Sequence, residues 1–323
     1  MFREIAVGAL PGRGRGRTRR LQGQKGMRQM SIVKDLSLAA SGRRKIEWVR
    51  DFMPALTEIE KRFERERPFE GLRIAVSVHL EAKTANLGLV LRAGGAEVFL
   101  TGSNPLSTQD DVAAGLASMG VETFGIHDAS PEEYEAHLME TLSIKPHLIV
   151  DDGGDLIHLL GDKAAPFGGE VIGGCEETTT GILRLRARER EGILPCAMVA
   201  VNDAKAKHYY DNRYGTGQSV WDALMHTTNL VVAGKTVVVA GYGWCGQGVA
   251  MRAAGMGATV IVTEIDPFKA LDATMQGYRV MPMEQAAPLG DVFITVTGCR
   301  DVITPAHYAL MKHNALLCNA GHF

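Results

Sequence analysis

Three glycines whose spacing suits a phosphate-binding turn lie in the last third of the chain. Gly241, Gly243 and Gly246 follow an apolar, β-branched run, and a second apolar run ends at Glu264. In a strand–turn–helix unit the first glycine permits the tight turn, the second lets the backbone approach a pyrophosphate, and the third allows close helix–strand packing. A carboxylate about 20 residues later binds a ribose 2′-hydroxyl and repels a 2′-phosphate. The pattern predicts a dinucleotide site that takes NAD; the alternative is a glycine-rich structural turn.

Polar side chains follow strand-like runs in the first half of the chain. Ligands of open parallel sheets bind outside the carboxyl ends of the strands. Recurrence of polar groups at successive strand ends therefore indicates a ligand site, although turn chemistry also explains each group alone. In chain order, these residues are His79, Glu81, Lys83, Thr84, Ser107, Thr108, Gln109 and Asp152.

The segment EETTTG contains Glu177, Thr178, Thr179 and Thr180 ahead of a helix-like run. A helix N-cap would explain one threonine. The additional hydroxyl groups favour recognition of a hydroxyl-rich ligand.

A second polar segment, 201–219, carries Asn202, Lys207, Asp211 and Asn212. Lys207 and Asp211 are four residues apart, which is typical of an ion pair on a helix surface. The functional interpretation is a lysine held near a carboxylate at a sugar hydroxyl.

Alternating strand-like and helix-like segments must position these groups. Apolar residues between Ile46 and Phe63 recur at helical spacing and predict one amphipathic helix. Strands are predicted at 73–78, 97–101 and 147–151, with helices between them, and a similar region begins at Lys235. This alternation predicts an α/β fold of two doubly wound parallel-sheet domains joined by a helical hinge.

We therefore expect a basic disordered extension over residues 1–42, a substrate-binding domain over 43–218, a hinge helix over 219–234 and a Rossmann domain over 235–323. The first 29 residues contain eight lysines or arginines and one acid. Such a composition lacks the apolar residues of a core. We interpret this segment as the product of a misassigned translation start, with Met30 as the true start. A transit peptide or a binding tail is the alternative.

Composition indicates an ordinary globular protein. Of the 323 residues, 46% are hydrophobic and 22% charged, and the net charge is −2. We expect no nucleic-acid or membrane partner, since there is neither a strong positive charge nor an apolar run of spanning length. The five cysteines are scattered without a CxxC pair. This spacing predicts no metal site and no disulfide framework, and favours a cytoplasmic location.

The order of these motifs resembles the S-adenosylhomocysteine hydrolase family. The similarity covers Ile46 to Phe323 and is carried by DDGGD, EETTTG, VND…DNRYG, VAGKTVVVAGYGWCGQG, VTEIDP and NAGHF. The forms HLEAKTA, STQDD and GYGWCG are more similar to the short bacterial–archaeal branch than to animal-type members.

The resemblance implies a hydrolase that uses tightly bound NAD as an internal redox agent. The ribose 3′-hydroxyl is oxidised to a ketone, the 4′ proton becomes acidic, homocysteine is eliminated, water adds, and the ketone is reduced again. The family is usually tetrameric, so the resemblance also implies a homo-oligomer.

The resemblance also implies roles for individual residues. The catalytic set is His79, Asp152, Glu177, Asn202, Lys207, Asp211 and His322. The substrate contacts are Glu81, Lys83, Thr84, Ser107, Thr108 and Gln109. The cofactor contacts are Thr178, Thr179, Thr180, Asn212, Gly241, Gly243, Gly246, Glu264 and Asn319.

One departure from the animal-type pattern concerns the purine base. Lys83 stands where animal-type members have a glutamate that reads the adenine amino group, and Glu81 replaces a threonine. A lysine donates hydrogen bonds whereas a carboxylate accepts them. S-inosylhomocysteine, with its oxo-purine, is therefore an alternative to S-adenosylhomocysteine.

A second departure is that the family pattern continues beyond the GHF turn, whereas this sequence stops at Phe323. We expect a C-terminally truncated chain with an incomplete cofactor domain. Two other functions remain open: a non-catalytic NAD-binding fragment of the same fold, and an ordinary NAD-dependent dehydrogenase.

Overall fold

The structure is a computed structural model that describes residues 31–321. Within that range, residues 31–148 and 164–171 form one compact unit, and residues 149–163 and 172–321 form another. The strands form one sheet of seven and one of five, and the pairings described are all parallel. This confirms the predicted α/β class with two parallel sheets. No helix among the described residues is long and apolar enough to cross a membrane.

The first unit alternates short strands with amphipathic helices. Its strands are β1 (Ile32–Val33), β2 (Arg73–Ser77), β3 (Glu97–Thr101) and β4 (Glu122–Gly125). Its helices are α1 (Ala39–Arg50), α2 (Pro54–Glu66), α3 (Ala82–Ala93), α4 (Asp110–Ser118) and α5 (Pro131–Leu142), with 3₁₀ turns at Leu36–Leu38, Pro105–Ser107 and Ala165–Glu170. The strand order is β1-β4-β3-β2.

The central strands of this unit are nearly continuous apolar runs because helices cover a parallel sheet on both faces. Ile74 to Val76 in β2 and Val98 to Leu100 in β3 are buried. β2 and β3 pair in register from Arg73 with Glu97 to Ser77 with Thr101. Both strands therefore end at one edge, and the residues that follow them lie along it.

The second unit contains the remaining strands and helices. Its strands are β5 (Leu148–Asp151), β6 (Gly173–Glu176), β7 (Ala197–Ala200), β8 (Thr236–Ala240), β9 (Thr259–Thr263), β10 (Arg279–Val280), β11 (Val292–Thr295) and β12 (Leu316–Asn319). Its helices are α6 (Asp155–Leu160), α7 (Thr179–Arg190), α8 (Lys205–Lys207), α9 (Thr216–Thr228), α10 (Trp244–Gly255), α11 (Pro267–Met275), α12 (Met283–Ala286) and α13 (Pro305–Tyr308). A 3₁₀ turn spans Val201–Asp203 and a π-helix spans His208–Gly215.

The five-stranded sheet has the order β10-β9-β8-β11-β12. Its central strand β8 is buried from Val237 to Ala240, and Val249, Ala250 and Ala253 of α10 pack in the same core. Small residues on that face of α10 let the helix lie close to the sheet. The glycine turn between β8 and α10 is thus held at the carboxyl edge.

Three predictions about boundaries are wrong. The extension predicted to be disordered through residue 42 contains β1, which pairs with β4, and the start of α1; a two-residue edge strand is too short to give a sequence signal. The single helix predicted between Ile46 and Phe63 is two helices, because Pro54 lacks the N–H of a helix interior and instead begins α2. The predicted hinge helix over 219–234 is α9, which ends at the left-handed Asn229.

The predicted domain boundaries do not coincide with the two compact units, whose division falls near residue 149 rather than residue 218. The separate roles expected for a substrate domain and a hinge remain predictions. The predicted disorder of residues 1–30 lies outside the described residues.

Glycines at helix contacts allow α9, α10 and the π-helix to approach one another without side chains between them. A Cβ placed on Gly248 would lie 1.7 Å from the carbonyl oxygen of Arg213, and one on Gly217 would lie 2.6 Å from the backbone of Gly248. Both distances are far inside van der Waals contact, so backbones would have to separate.

We expect Gly248→Ala to lower the free energy of unfolding by about 1–3 kcal/mol, the usual effect of overpacking a core. Gly255→Ala, at the end of the same helix, is the matched control, since a Cβ there meets none of the described atoms within 4 Å. Urea unfolding of the two variants measures the difference. Equal stability of Gly248→Ala and the control would contradict the close contact.

Candidate functional site

Three predicted site residues in the second unit follow the adjacent strands β5, β6 and β7. Asp152 comes directly after β5, Glu177 after β6, and Asn202 two residues after β7. Asp152 is 8% exposed and Asn202 6% exposed. The backbone N–H of Glu177 donates to the carbonyl of Asp151 at 2.9 Å, which ties the first two strand ends together.

Lys207 lies at the centre of this group. Its Nζ is 3.0 Å from Asn202 Oδ1 and 3.0 Å from Asn212 Oδ1. It is also 3.6 Å from Glu177 Oε1 and 3.7 Å from Asp211 Oδ2. The lysine side chain is only 13% exposed, so it is not the surface ion pair that its spacing to Asp211 also allowed. We call these five residues the lysine cluster.

The π-helix explains how Lys207 reaches Asn212. Residues five apart in an α-helix point about 140° away from each other around the axis. In a π-helix, whose hydrogen bonds run from i to i+5, they lie about one turn apart. The π-helix starts at His208, and the two side chains meet. Such insertions are frequent at functional sites.

The charges of the cluster act on Glu177. Burial raises the pKa of its carboxyl group, the ammonium of Lys207 lowers it, and the charges of Asp152 and Asp211 raise it again, with a net increase. An acid with this environment can hold or release a proton near a reacting hydroxyl.

The threonines of EETTTG stand at the start of α7. Thr178 is the N-cap residue, but its side chain makes no capping hydrogen bond. Thr179 Oγ1 accepts from Asn202 Nδ2 at 3.2 Å, and Thr180 lies in the first turn. A capping role therefore does not account for these hydroxyl groups.

The glycine turn has the geometry expected of a pyrophosphate site. Gly241 has a φ of +106°, which favours glycine, and a Cβ on Gly246 would lie 2.1 Å from the Gly241 carbonyl oxygen. A Cβ on Gly243, by contrast, would meet no atom of the described part of the chain within 4 Å. Gly243 is the N-cap of α10 without a side-chain cap, so the first amides of the helix face this space.

Glu264 and Asn319 flank this turn at the ends of β9 and β12. Glu264 Oε2 accepts from the backbone N–H of Tyr242 at 2.7 Å, which places its carboxylate beside the glycine turn, where a ribose hydroxyl would bind. Asn319 Oδ1 accepts from Thr295 Oγ1 at 2.9 Å. Glu264 fits the adenosine ribose of NAD, and its carboxylate would repel a 2′-phosphate.

The lysine cluster and the glycine turn are in direct contact. Asn212 Nδ2 lies 3.6 Å from the sulfur of Cys245, in the first turn of α10 directly after Gly243. The ring of His208 stacks on that of Trp244 with centroids 4.8 Å apart. A ligand bound at the turn thus lies next to Lys207.

The predicted residues of the first unit form a second cluster after β2 and β3. His79 Nδ1 is 2.5 Å from Ser107 Oγ. Glu81 caps α3 by accepting from the backbone N–H groups of Lys83 and Thr84 at 3.0 and 3.1 Å. Its carboxylate is thereby used locally, whereas Lys83 is exposed.

Two further residues of this set have structural partners. Thr108 is buried and donates to the carbonyl of Asn104 at 3.1 Å. Gln109 accepts weakly from Lys45 at 3.4 Å, and its backbone N–H donates to Leu80. His322 lies outside the described residues. Within residues 31–321, no group of three or more histidines, cysteines or acids could hold a metal ion.

Sequence reasoning missed several contributors to the site. It gave no sign of the π-helix, and it treated Cys245 as a small residue that fits the turn rather than as a contact of Asn212. It also overlooked Glu176, a fully buried acid next to Glu177. The only available signal was the adjacent pair of glutamates in EETTTG.

We expect Gly243→Val to weaken NAD binding at least about tenfold, a loss of about 1.4 kcal/mol, because the side chain would occupy the space next to the helix amides. The fold should be unaffected, since Gly243 has an extended backbone and the space holds no atom of residues 31–321. Calorimetric titration with NAD and thermal unfolding measure the two effects. NAD affinity equal to that of wild type, or of the control Gly255→Ala, would contradict the placement.

Comparison with known proteins is consistent with this geometry. The model of the S-adenosyl-L-homocysteine hydrolase family matches residues 30–170, and the model of the NAD-binding domain of the same family matches residues 212–323. The second match confirms the predicted cofactor.

Similar proteins carry two different names. The S-inosyl-L-homocysteine hydrolase of Methanocaldococcus jannaschii is 55% identical over 91% of this chain and 71% of its own length. The adenosylhomocysteinase of Pyrococcus abyssi is 54% identical over 90% of this chain and 69% of its own. The adenosylhomocysteinase of Gloeothece citriformis is 54% identical over 90% and 68%, respectively. The chain therefore belongs to the S-adenosyl-L-homocysteine hydrolase family and carries that family's NAD-binding domain.

Proposed function

We propose that the protein cleaves the thioether bond of S-adenosyl-L-homocysteine, reversibly giving adenosine and L-homocysteine. The observation that carries this proposal is the lysine cluster, which holds a mostly buried ammonium group among two amide oxygens and two carboxylates beside the NAD turn. A dinucleotide site alone would need neither the buried ammonium group nor the two carboxylates beside it.

Bound NAD would supply hydride transfer to and from the 3′ carbon of the ribose. In its neutral amine form, Lys207 would take the proton of the 3′-hydroxyl oxygen, becoming an ammonium, and would return that proton when the ketone is reduced. Asn202 and Asn212 would keep its Nζ in place. Glu177, held beside Lys207 Nζ at 3.6 Å, would accept a hydrogen bond from a ribose hydroxyl.

The 3′-ketone is what makes cleavage possible. A thioether is a poor leaving group until a neighbouring carbonyl stabilises the carbanion formed at the 4′ carbon. Asp152, nearly buried at the end of β5, is the proposed proton acceptor there, and His79 is the proposed proton donor to the leaving sulfur. The hydrogen bond to Ser107 Oγ fixes the imidazole ring of His79.

S-inosyl-L-homocysteine is the second candidate substrate. Glu81 is engaged as the cap of α3, so the exposed Lys83 is the group at this helix start that can donate to a purine. A donor suits the oxo group of hypoxanthine better than the amino group of adenine. Relatives of nearly equal identity carry either name, which leaves both substrates as candidates.

A non-catalytic NAD-binding role and an ordinary dehydrogenase are distinguished by their products. A dehydrogenase accumulates NADH in proportion to product, whereas the proposed hydrolase releases homocysteine without net NADH. A binding module would do neither.

We also propose a homotetramer in the cytoplasm, serving one-carbon metabolism through the methyl cycle. Five free cysteines suit a reducing compartment, and the tetramer follows from the family resemblance. Light scattering of the purified protein tests the oligomeric state: a monomer would contradict it.

We expect Lys207→Met to reduce homocysteine release at least about 100-fold, the usual contribution of a positioned acid or base. Methionine keeps the apolar stem but cannot move a proton. Lys205→Met, at an exposed lysine on the same short helix, should leave the rate unchanged. Thiol release is followed colorimetrically with NAD supplied. Equal rates in the two variants would exclude Lys207 from the reaction.

We expect Lys83→Met to reduce kcat/KM for S-inosyl-L-homocysteine at least about tenfold if hypoxanthine is the base that is read, because a donor to the oxo group is lost. The value for S-adenosyl-L-homocysteine should then change less than about threefold. Lys61→Met, at an exposed lysine of α2, is the control. A parallel loss for both substrates would show that Lys83 does not discriminate between the bases.

A further inference from the structure

A buried carboxyl group that has no role in the proposed reaction lies at the end of β6. Glu176 has no exposed surface. Its Oε1 accepts from the backbone N–H groups of Gly153 and Thr178, both at 2.9 Å. Its Oε2 has no hydrogen-bond partner among the residues that the structure describes.

The two hydrogen bonds join the segments that carry the site residues. Gly153 follows Asp152 and Thr178 follows Glu177, so one carboxyl group fixes the backbone beside both acids. The neighbouring Asp151 reinforces the same link, because its carbonyl accepts from the Glu177 N–H at 2.9 Å.

Helix α7 closes this carboxyl group off from water. A Cβ on Gly181 would lie 2.2 Å from the Glu176 carboxyl group, so only glycine lets the helix pack against it. The glycine of EETTTG is therefore explained by packing on Glu176 rather than by a left-handed backbone.

The charges around Glu176 disfavour its ionised form. Burial raises its pKa to about 7, and the charges of Asp152 and Glu177 add to the effect against the two backbone hydrogen bonds. The pKa of Asp151 is raised well above its usual range by its burial and by the charge of Glu176, with a further contribution from Asp155.

The nearby cations are paired with other groups and do not stabilise the ionised forms of Glu176 and Asp151. Lys207 pairs with Glu177, and Arg184 pairs with Asp155 and the carbonyl of Gly153. Both oxygens of Asp151 accept from backbone N–H groups, those of Asp152 and Ile157 at 3.1 Å. Oε2 of Glu176 accepts no hydrogen bond from the described residues, so a negative charge there would be the least compensated in this group of acids. Protonation of Oε2 removes this desolvation penalty.

We propose that Glu176 is a positioning residue that carries a proton on Oε2 and, in that neutral form, holds the segments bearing Asp152 and Glu177 in the geometry of the lysine cluster. Loss of this proton places a negative charge in a dry site that has donors to Oε1 only and lies beside the acids Asp152 and Glu177, and this repulsion destabilises the arrangement of both segments. The effect on the reaction rests on the proposed function, but the proton and the order of the segments do not.

The sign of the pH effect follows from linkage. A carboxyl group whose pKa is higher in the folded state than in the unfolded state stabilises the fold at low pH. This contribution is lost as the pH rises from the usual glutamate value of 4.5 through about 7. Stability should therefore fall across this window and level off above it.

Glu176→Gln provides the test, because its amide oxygen accepts the same two hydrogen bonds and its NH₂ group cannot ionise. We expect the unfolding temperature of wild type to fall relative to this variant between about pH 5 and about pH 8. Glu189→Gln, at an exposed position of α7, should follow wild type throughout. Identical pH dependence of wild type and Glu176→Gln would overturn the proposal.

Infrared titration identifies the carboxyl group directly. Wild type should show a buried protonated carboxyl band that disappears with a midpoint at about pH 7, and this titrating band should be absent from Glu176→Gln. If it persists in Glu176→Gln and is lost in Asp151→Asn, the proton belongs to Asp151 and the proposal is wrong.

Measurements of kcat distinguish a positioning role of Glu176 from an effect on the stability of the fold alone. With saturating NAD at pH 6, Glu176→Gln should keep kcat within about threefold of wild type. The decline of kcat at alkaline pH that ionisation of Glu176 causes should be absent from this variant. Gly181→Ala, which displaces the carboxyl group, should lower kcat at least about tenfold. Unchanged pH profiles would overturn the positioning role. If no variant, including wild type, releases thiol, the proposed function fails while the unfolding and infrared results still decide the inference.

Discussion

The site depends on keeping one ammonium group, that of Lys207, largely out of water. Removing such a charge from solvent is unfavourable unless oxygens replace its hydration shell. Two amide oxygens at 3.0 Å and two carboxylates at 3.6 and 3.7 Å do so here. Because these partners come from the ends of two strands and from the π-helix, the lysine is positioned only when all three are in place.

The same constraint links the lysine to the glycine turn. Gly248 of α10 packs on the backbone of Arg213 in the π-helix, and Trp221 of α9 donates its indole N–H to the carbonyl of Val249 at 2.9 Å. Helix α10, which follows the glycine turn, therefore packs directly against the π-helix that carries Asn212. In the proposed reaction a hydride leaves the 3′ carbon and a proton leaves its hydroxyl oxygen, and both transfers require this common frame.

Burying so many polar groups also has a destabilising side. Asp151 and Glu176 lie beside Asp152 and Glu177 in the chain, neither is paired with a cation among residues 31–321, and both have raised pKa values. Isolated carboxylates of this kind would be expelled from an ordinary core. Their hydrogen bonds to the backbone beside Asp152 and Glu177 give a physical reason for their presence.

The sequence was sufficient for elements defined by local pattern. The strand at 97–101 and the glycine turn could be predicted because β-branched runs and glycine spacing act over a few residues. It was insufficient where tertiary contacts decide the outcome. The break before Pro54 was hidden by apolar spacing that continues across it, and β1 exists only through its pairing with β4.

In the candidate site, too, local sequence pattern predicted some features and tertiary contacts determined the others. The polar segments marked the strand ends that carry Asp152, Glu177 and Asn202, since such residues do not belong in an apolar core. Neither the contact between Lys207 and Asn212 nor the one between Asn212 and Cys245 could be foreseen. The first needs the i to i+5 geometry of a π-helix and the second needs the packing of α10.

The central claim is that oxidation at the 3′ position makes the 4′ proton of the nucleoside exchangeable. The most direct measurement is proton NMR of the substrate and of adenosine recovered from the protein in deuterated water with NAD supplied. We expect deuterium at the 4′ carbon, with exchange that requires NAD. Release of homocysteine without deuterium at that carbon would contradict the account, because cleavage would then proceed without a carbanion at the 4′ position.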